Sequence, residues 1–165
     1  MRHLKTHPIL ESNSFGGDIE ILNEISDIFN FLEDEWGFSL EYALITYEEK
    51  RYGSKKYTGT IYDLSGEEVY KYPSADMSNK KLWNISGNSQ NLLSSSIREI
   101  YNRSISSVNV VESMLGLEKF EFKFETQKRK GDIFYEISNE NSDILYDVDT
   151  VNKLDIIIQF KESDI

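Results

Sequence analysis

The chain has 165 residues, a formal net charge of −11, 39% apolar and 13% aromatic residues, two histidines and no cysteine. That length suits one domain over 1–165, with 1–16 as a loosely ordered N-terminal segment, and the apolar share can build a core without metals or disulfides. The missing cysteines exclude disulfide scaffolds, thiolate zinc sites, iron–sulfur clusters and cysteine nucleophiles.

The first periodic segment runs from Asp18 to about Trp36, where Ile21, Leu22, Ile25, Ile28, Phe29 and Leu32 recur every three or four residues. This spacing predicts one amphipathic helix, with Asp18 as N-cap and Gly37 as its stop. Glu33, Asp34 and Glu35 crowd its C-terminal end, where the helix dipole favours cations. From Phe38 the period changes to two, and Phe38, Leu40, Tyr42, Leu44 and Thr46 form one face of a strand that ends at Glu48 and Glu49. A second strand over 56–63, the turn Leu64-Ser65-Gly66-Glu67, and a third strand over 68–72 ended by Pro73 complete an antiparallel meander.

Residues 73–90 read as irregular, pinned to the core by Trp83 and Ile85. A second helix is expected from Asn88 or Ser89 to about Arg103, burying Leu92, Leu93, Ile97, Ile100 and Tyr101. Residues 105–115 are ambiguous between helix and strand, with helix preferred. The clearest alternation lies in 117–127, where Phe120, Phe122 and Phe124 interleave with charged residues. A hairpin loop over 128–132 leads to a strand over 133–137, and a last strand runs over 153–161. The expected product is an α+β fold, an antiparallel sheet of about six strands with two main helices packed on one face.

Catalytic signals are absent. His3 and His7 have a zinc-like spacing, but Pro8 and the terminal position speak against a helix there. Asp143, Asp147 and Asp149 could face a hard cation, yet their spacing fits no calcium loop and a solvated loop explains them. No glycine-rich phosphate cradle occurs. The basic pairs Lys50-Arg51 and Lys55-Lys56 and the run Lys128-Arg129-Lys130 could hold phosphates, but turn lysines also protect sheet edges. Neither cofactor nor metal is expected. No stretch approaches the roughly 20 apolar residues that span a bilayer, and no leader-like apolar run opens the chain, so the reading is cytoplasmic.

Charge is unevenly distributed. Residues 1–49 carry 11 acidic and 2 basic side chains, 50–130 carry 9 and 14, and 131–165 carry 9 and 2. Such a balance disfavours nucleic acid and anionic membranes as partners and favours a basic protein, although acidity for solubility alone is common. Acidic termini around a basic middle, the Glu33–Asp34–Glu35 cluster, and the order helix, meander, helix, strand pair resemble small acidic immunity proteins that accompany bacterial contact-dependent or other polymorphic toxins. That resemblance implies a non-catalytic inhibitor that neutralises a cognate toxin, such as a nuclease, through an acidic surface. The contact candidates are then Glu33, Asp34, Glu35, Glu48, Glu49, Asp143, Asp147 and Asp149, gathered on one negative face. The alternative is a small-ligand-binding domain or enzyme with a pocket between sheet and helices, lined by Trp36, Trp83 and phenylalanines. A DNA-mimicking inhibitor is a third reading, opposed by the basic middle section.

Overall fold

The computed structural model describes residues 16–75, 80–127, 135–137 and 150–163. Within them the order is α1 (Gly16–Phe29), α2 (Phe31–Trp36), β1 (Ser39–Glu48), β2 (Tyr57–Tyr62), β3 (Glu68–Ser74), β4 (Lys81–Leu93), α3 (Ser94–Leu115), β5 (Leu117–Gln127), β6 (Tyr135–Glu136) and β7 (Thr150–Glu162). All strand pairs are antiparallel and form one sheet in the order β3-β2-β1-β4-β7-β5-β6. The two long helices pack on one face of it, as the α+β reading expects. Among the described residues β6 covers two positions, so there the sheet is six full strands and a short edge.

Alternation decides which side of the sheet is covered. Leu44, Trp83 and Phe160 stand in one cross-strand row and Tyr42, Ile85 and Ile158 in the next, all buried beneath the helices. The intervening residues Ala43, Ile45, Tyr47, Asn84 and Gln159 are half-buried on the opposite face. From α1, Ile19, Leu22, Ile25 and Phe29 meet this floor, and from α3, Ile97, Ile100, Val108 and Val111 do. The indole N–H of Trp83 donates to the Asp18 carbonyl at 2.9 Å, tying the centre of the sheet to the first turn of α1.

Several expectations are corrected. The helix over 18–36 is two: the chain turns at Asn30, whose N–H reaches the Asp27 carbonyl at 3.4 Å, before α2 resumes. Asp18 lies in the first turn and is not the cap, while Gly37 does end α2 in the left-handed conformation. Pro73 does not end β3, because it pairs opposite Thr58; among the described residues β3 is an edge strand, and an edge tolerates a missing N–H. Residues 81–93 are a central strand, not a loop. The second helix starts at Ser94 and runs unbroken to Leu115, absorbing the ambiguous segment and leaving Leu93 exposed. Phe120 sits where the β5–β7 register slips and is exposed, so it leaves the core that Phe124 joins. The expected loop over 128–132 lies outside the described residues.

Candidate functional site

The sequence places Glu33, Asp34 and Glu35 on α2, which follows α1 after one turn and stops at Gly37. Gly37 N–H bonds the Glu33 carbonyl and Phe38 N–H the Leu32 carbonyl, each at 3.1 Å. The Trp36 carbonyl accepts the Ser89 hydroxyl at 2.7 Å, which locks the end of α2 onto β4. The break at Asn30 puts Glu33 and Asp34 in the first turn of α2, where the dipole favours carboxylates, so the expected clash with a helix C-terminus falls on Glu35 alone.

Across from it lies α3, and between them runs a groove of about 450 Å³. Asp27, Asp34 and Glu35 supply its carboxylates, Phe31, Ile28 and Val110 its apolar wall, and Arg103 its one lining cation. Arg103 forms a two-pronged bond with Glu35, Nη1 to Oε1 at 2.7 Å and Nη2 to Oε2 at 3.1 Å. Its guanidinium carbon stands 4.3 Å from the ring centre of Phe31 and 5.2 Å from that of Trp36. The two rings meet edge to face, 6.1 Å apart. Planar stacking plus a parallel pair of charge-assisted bonds is the arrangement a guanidinium prefers. The bond from Arg103 holds the Glu35 carboxyl below its ordinary range despite a small opposing desolvation. Asp34 accepts the Asn30 side-chain amide at 2.7 Å and is exposed.

Glu48 and Glu49 lie elsewhere. Glu48 ends β1 and Glu49 follows it, and ten residues at roughly 3.3 Å each put them about 33 Å from the start of the strand, beside which α2 ends. They enter a loop that also carries Lys50, Arg51, Lys55 and Lys56, and Glu49 pairs with Lys56 at 3.5 Å. Local cations therefore offset this second cluster. Asp143, Asp147 and Asp149 lie outside the described residues, as do His3, His7 and Lys128-Arg129-Lys130. The structure brings Asp34 and Glu35 to the groove, leaves Glu33 of the same short helix out of its lining, and separates all three from Glu48 and Glu49; it does not assemble these five on one face.

Sequence reasoning missed Arg103, Asp27 and Phe31. Only the aromatic pair flanking the acidic run hinted at a cation site. Among the described residues, Trp83, Phe29, Phe124 and Phe160 are fully buried between helices and sheet, while Trp36 packs against Arg103. Among the described residues, no three metal-ligating side chains gather, and no helix is long and apolar enough to cross a membrane. Compared with protein-family models, curated proteins and solved structures, the chain matches none.

Proposed function

We propose that the chain is a non-catalytic protein-binding inhibitor of the immunity-protein kind, and that it engages a basic partner through the groove between α2 and α3. The observation that supports this is the internal arginine: Glu35, Phe31 and Trp36 already hold one guanidinium, which demonstrates chemistry suited to another. Asp27 and Asp34 stay beside it, and Ile28 and Val110 offer apolar surface for the stem of a partner lysine or arginine. Long-range attraction by a chain of net −11 speeds the encounter with a cationic protein, and the groove gives it register.

The test uses the basic protein encoded beside this chain, if the pair co-purifies, with binding kinetics at low and high salt. Reversing Asp27 and Asp34 together to lysine is expected to slow association at least tenfold at low salt, and reversing Glu48 and Glu49 to leave it within twofold. Unchanged kinetics after the groove reversal would remove the proposal.

A further inference from the structure

Arg103 is held by groups that any other guanidinium could use. Phe31 and Trp36 come from α2 and stand at 84° to each other, so their rings form two walls of a slot, and the Glu35 carboxylate of the same short helix takes the cation that lies against them. Such a slot suits a flat cation with two parallel donors. A lysine ammonium offers neither the plane nor the fork.

The incumbent is lightly held. The Arg103 side chain is 40% exposed and that of Glu35 50%, so water and salt screen the bond between them. Arg103 also has a second place to go. Glu99 lies one turn earlier on α3, with its Oε2 3.9 Å from Nη1 and its side chain 59% exposed. An acid four residues before a base is the favourable order along a helix. Rotation within the arginine side chain therefore trades Glu35 for Glu99 without leaving that cation unpaired. The slot so vacated opens on the groove, because Phe31, Glu35 and Arg103 all line it.

We infer that the slot is an exchange site, in which an arginine of the basic partner takes the place of Arg103 on Phe31, Trp36 and Glu35 while Arg103 passes to Glu99. The exchange rests on the groove's being the partner's docking site, and it adds which cation is selected and what must move. Glu35 has a guanidinium before and after, so the incoming arginine gains what the outgoing one gives up, and Glu99 tips the balance by receiving Arg103. The incumbent also sets specificity. A cation that cannot reproduce both the ring contact and the paired bonds cannot displace one that makes them.

The probes are N-acetyl-arginine methylamide and N-acetyl-lysine methylamide, titrated by NMR into the full chain with the Trp36 indole, the Arg103 Nε–H and the Glu35 carboxyl carbon as reporters. In the native chain the arginine probe is expected to shift the Trp36 and Arg103 signals together and to bind at least about fivefold more tightly than the lysine probe. Arg103→Ala, a change that a partly exposed helix position accepts, removes the incumbent; the arginine probe then binds at least about threefold more tightly and returns the Glu35 midpoint to its native place. Glu99→Gln takes away the second seat. It weakens the arginine probe at least about twofold in the native chain and leaves it unchanged in the Arg103→Ala background, a contrast that general loss of negative charge would not produce. Equal binding of the two probes, no gain in Arg103→Ala, the same Glu99→Gln effect in both backgrounds, or a Trp36 shift without an Arg103 shift would each overturn the exchange. Should the Asp27 and Asp34 reversal slow the partner's association while the probes fail in any of these ways, the groove stands and the exchange alone falls; unchanged association after that reversal overturns both.

Discussion

Alanine in place of Gly87 tests whether the close approach of β1 and β4 is what makes a glycine necessary in the middle of a central strand. Gly87 stands opposite Leu40 with φ of 157°, and a Cβ there would lie 2.0 Å from the Ser39 carbonyl oxygen and 3.0 Å from the Leu40 Cα. Both obstacles are backbone and cannot rotate aside. Since a close C···O contact is about 3.3 Å, the strands must part locally by about 1.3 Å. A side chain forced into that backbone region costs about 1–3 kcal/mol, and overpacking costs a similar about 1–3 kcal/mol. Alanine recovers about 0.4–1 kcal/mol by restricting the unfolded chain. The expected net loss is about 2–5 kcal/mol, a large share of the roughly 5–15 kcal/mol of an ordinary domain. Urea unfolding, followed by Trp83 fluorescence and far-ultraviolet circular dichroism, should show the midpoint falling by about 1–2.5 M at a slope near 2 kcal/mol/M. Gly59→Ala is the control: its Cβ would meet the Tyr72 ring at 2.5 Å, but a ring can swing, so the loss stays below about 1.5 kcal/mol. A Gly87→Ala loss below about 1 kcal/mol, or one smaller than that of Gly59→Ala, refutes the reasoning.

Trp83→Phe deletes the bond to the Asp18 carbonyl and leaves a void under α1, with an expected loss of about 2–4 kcal/mol in urea unfolding followed by far-ultraviolet circular dichroism; a loss under about 1 kcal/mol would mean that α1 is anchored otherwise. Because Arg103 lowers the Glu35 carboxyl from its ordinary 4.5, the pair's contribution is fully present above that value and disappears as pH falls through the lowered one. Carbon-detected NMR titration should place the Glu35 midpoint below 4.5 in the native chain and raise it in Arg103→Ala; identical midpoints would deny the pair in solution. The Tyr72 hydroxyl donates to Tyr47 at 2.7 Å, and burial first, then that bond, raises its pKa well above 10. The raised group stabilises the fold below the phenol's ordinary value, and that contribution is lost as pH rises through the folded one. Tyr47→Phe should lower the Tyr72 midpoint in a titration at 295 nm yet leave it above 10, since burial persists; an unmoved midpoint would show the bond to be irrelevant.

The meander was legible because its signals are local. Alternation marks β1 and the Asp63–Gly66 turn marks the hairpin, so neighbours in sequence suffice. β4 was hidden because its two faces answer to distant partners. Gly87 interrupts the apolar row to let β1 approach, and Asn84, which reads as a turn former, instead accepts a hydrogen bond from Gln159, 75 residues later, at 2.8 Å. The break at Asn30 was invisible for the opposite reason, since the apolar period continues through it as if the helix did. At the site, the acidic run could be seen but not its cation: Glu35 and Arg103 are 68 residues apart. Nor could the separation from Glu48 and Glu49 be read without knowing that β1 intervenes as a straight strand.

The groove and a pocket beside β1 share one stretch of chain. Residues 31–36 border the first, and after Gly37 residues 40–43 line the second, so a 13-residue segment supplies one margin of each. Its stiffness is built in. The Phe38 N–H bonds back to Leu32, the Ser89 hydroxyl clamps Trp36, and Leu40 lies against Gly87 so closely that no side chain fits between. A surface held this firmly pays little ordering entropy when a partner docks, which favours binding through preformed shape. It also means that a perturbation at Gly87 reaches the pocket beside β1 through Ser39 and Leu40 while leaving Asp34 and Arg103 on the far side of the Gly37 turn. Amide exchange at Leu40 and Glu41 should therefore quicken in Gly87→Ala under conditions where the variant is still folded, and the Glu35 titration should not move. Movement of both together would show that α2 and the start of β1 respond as one unit, and that the two sites cannot be treated as independent.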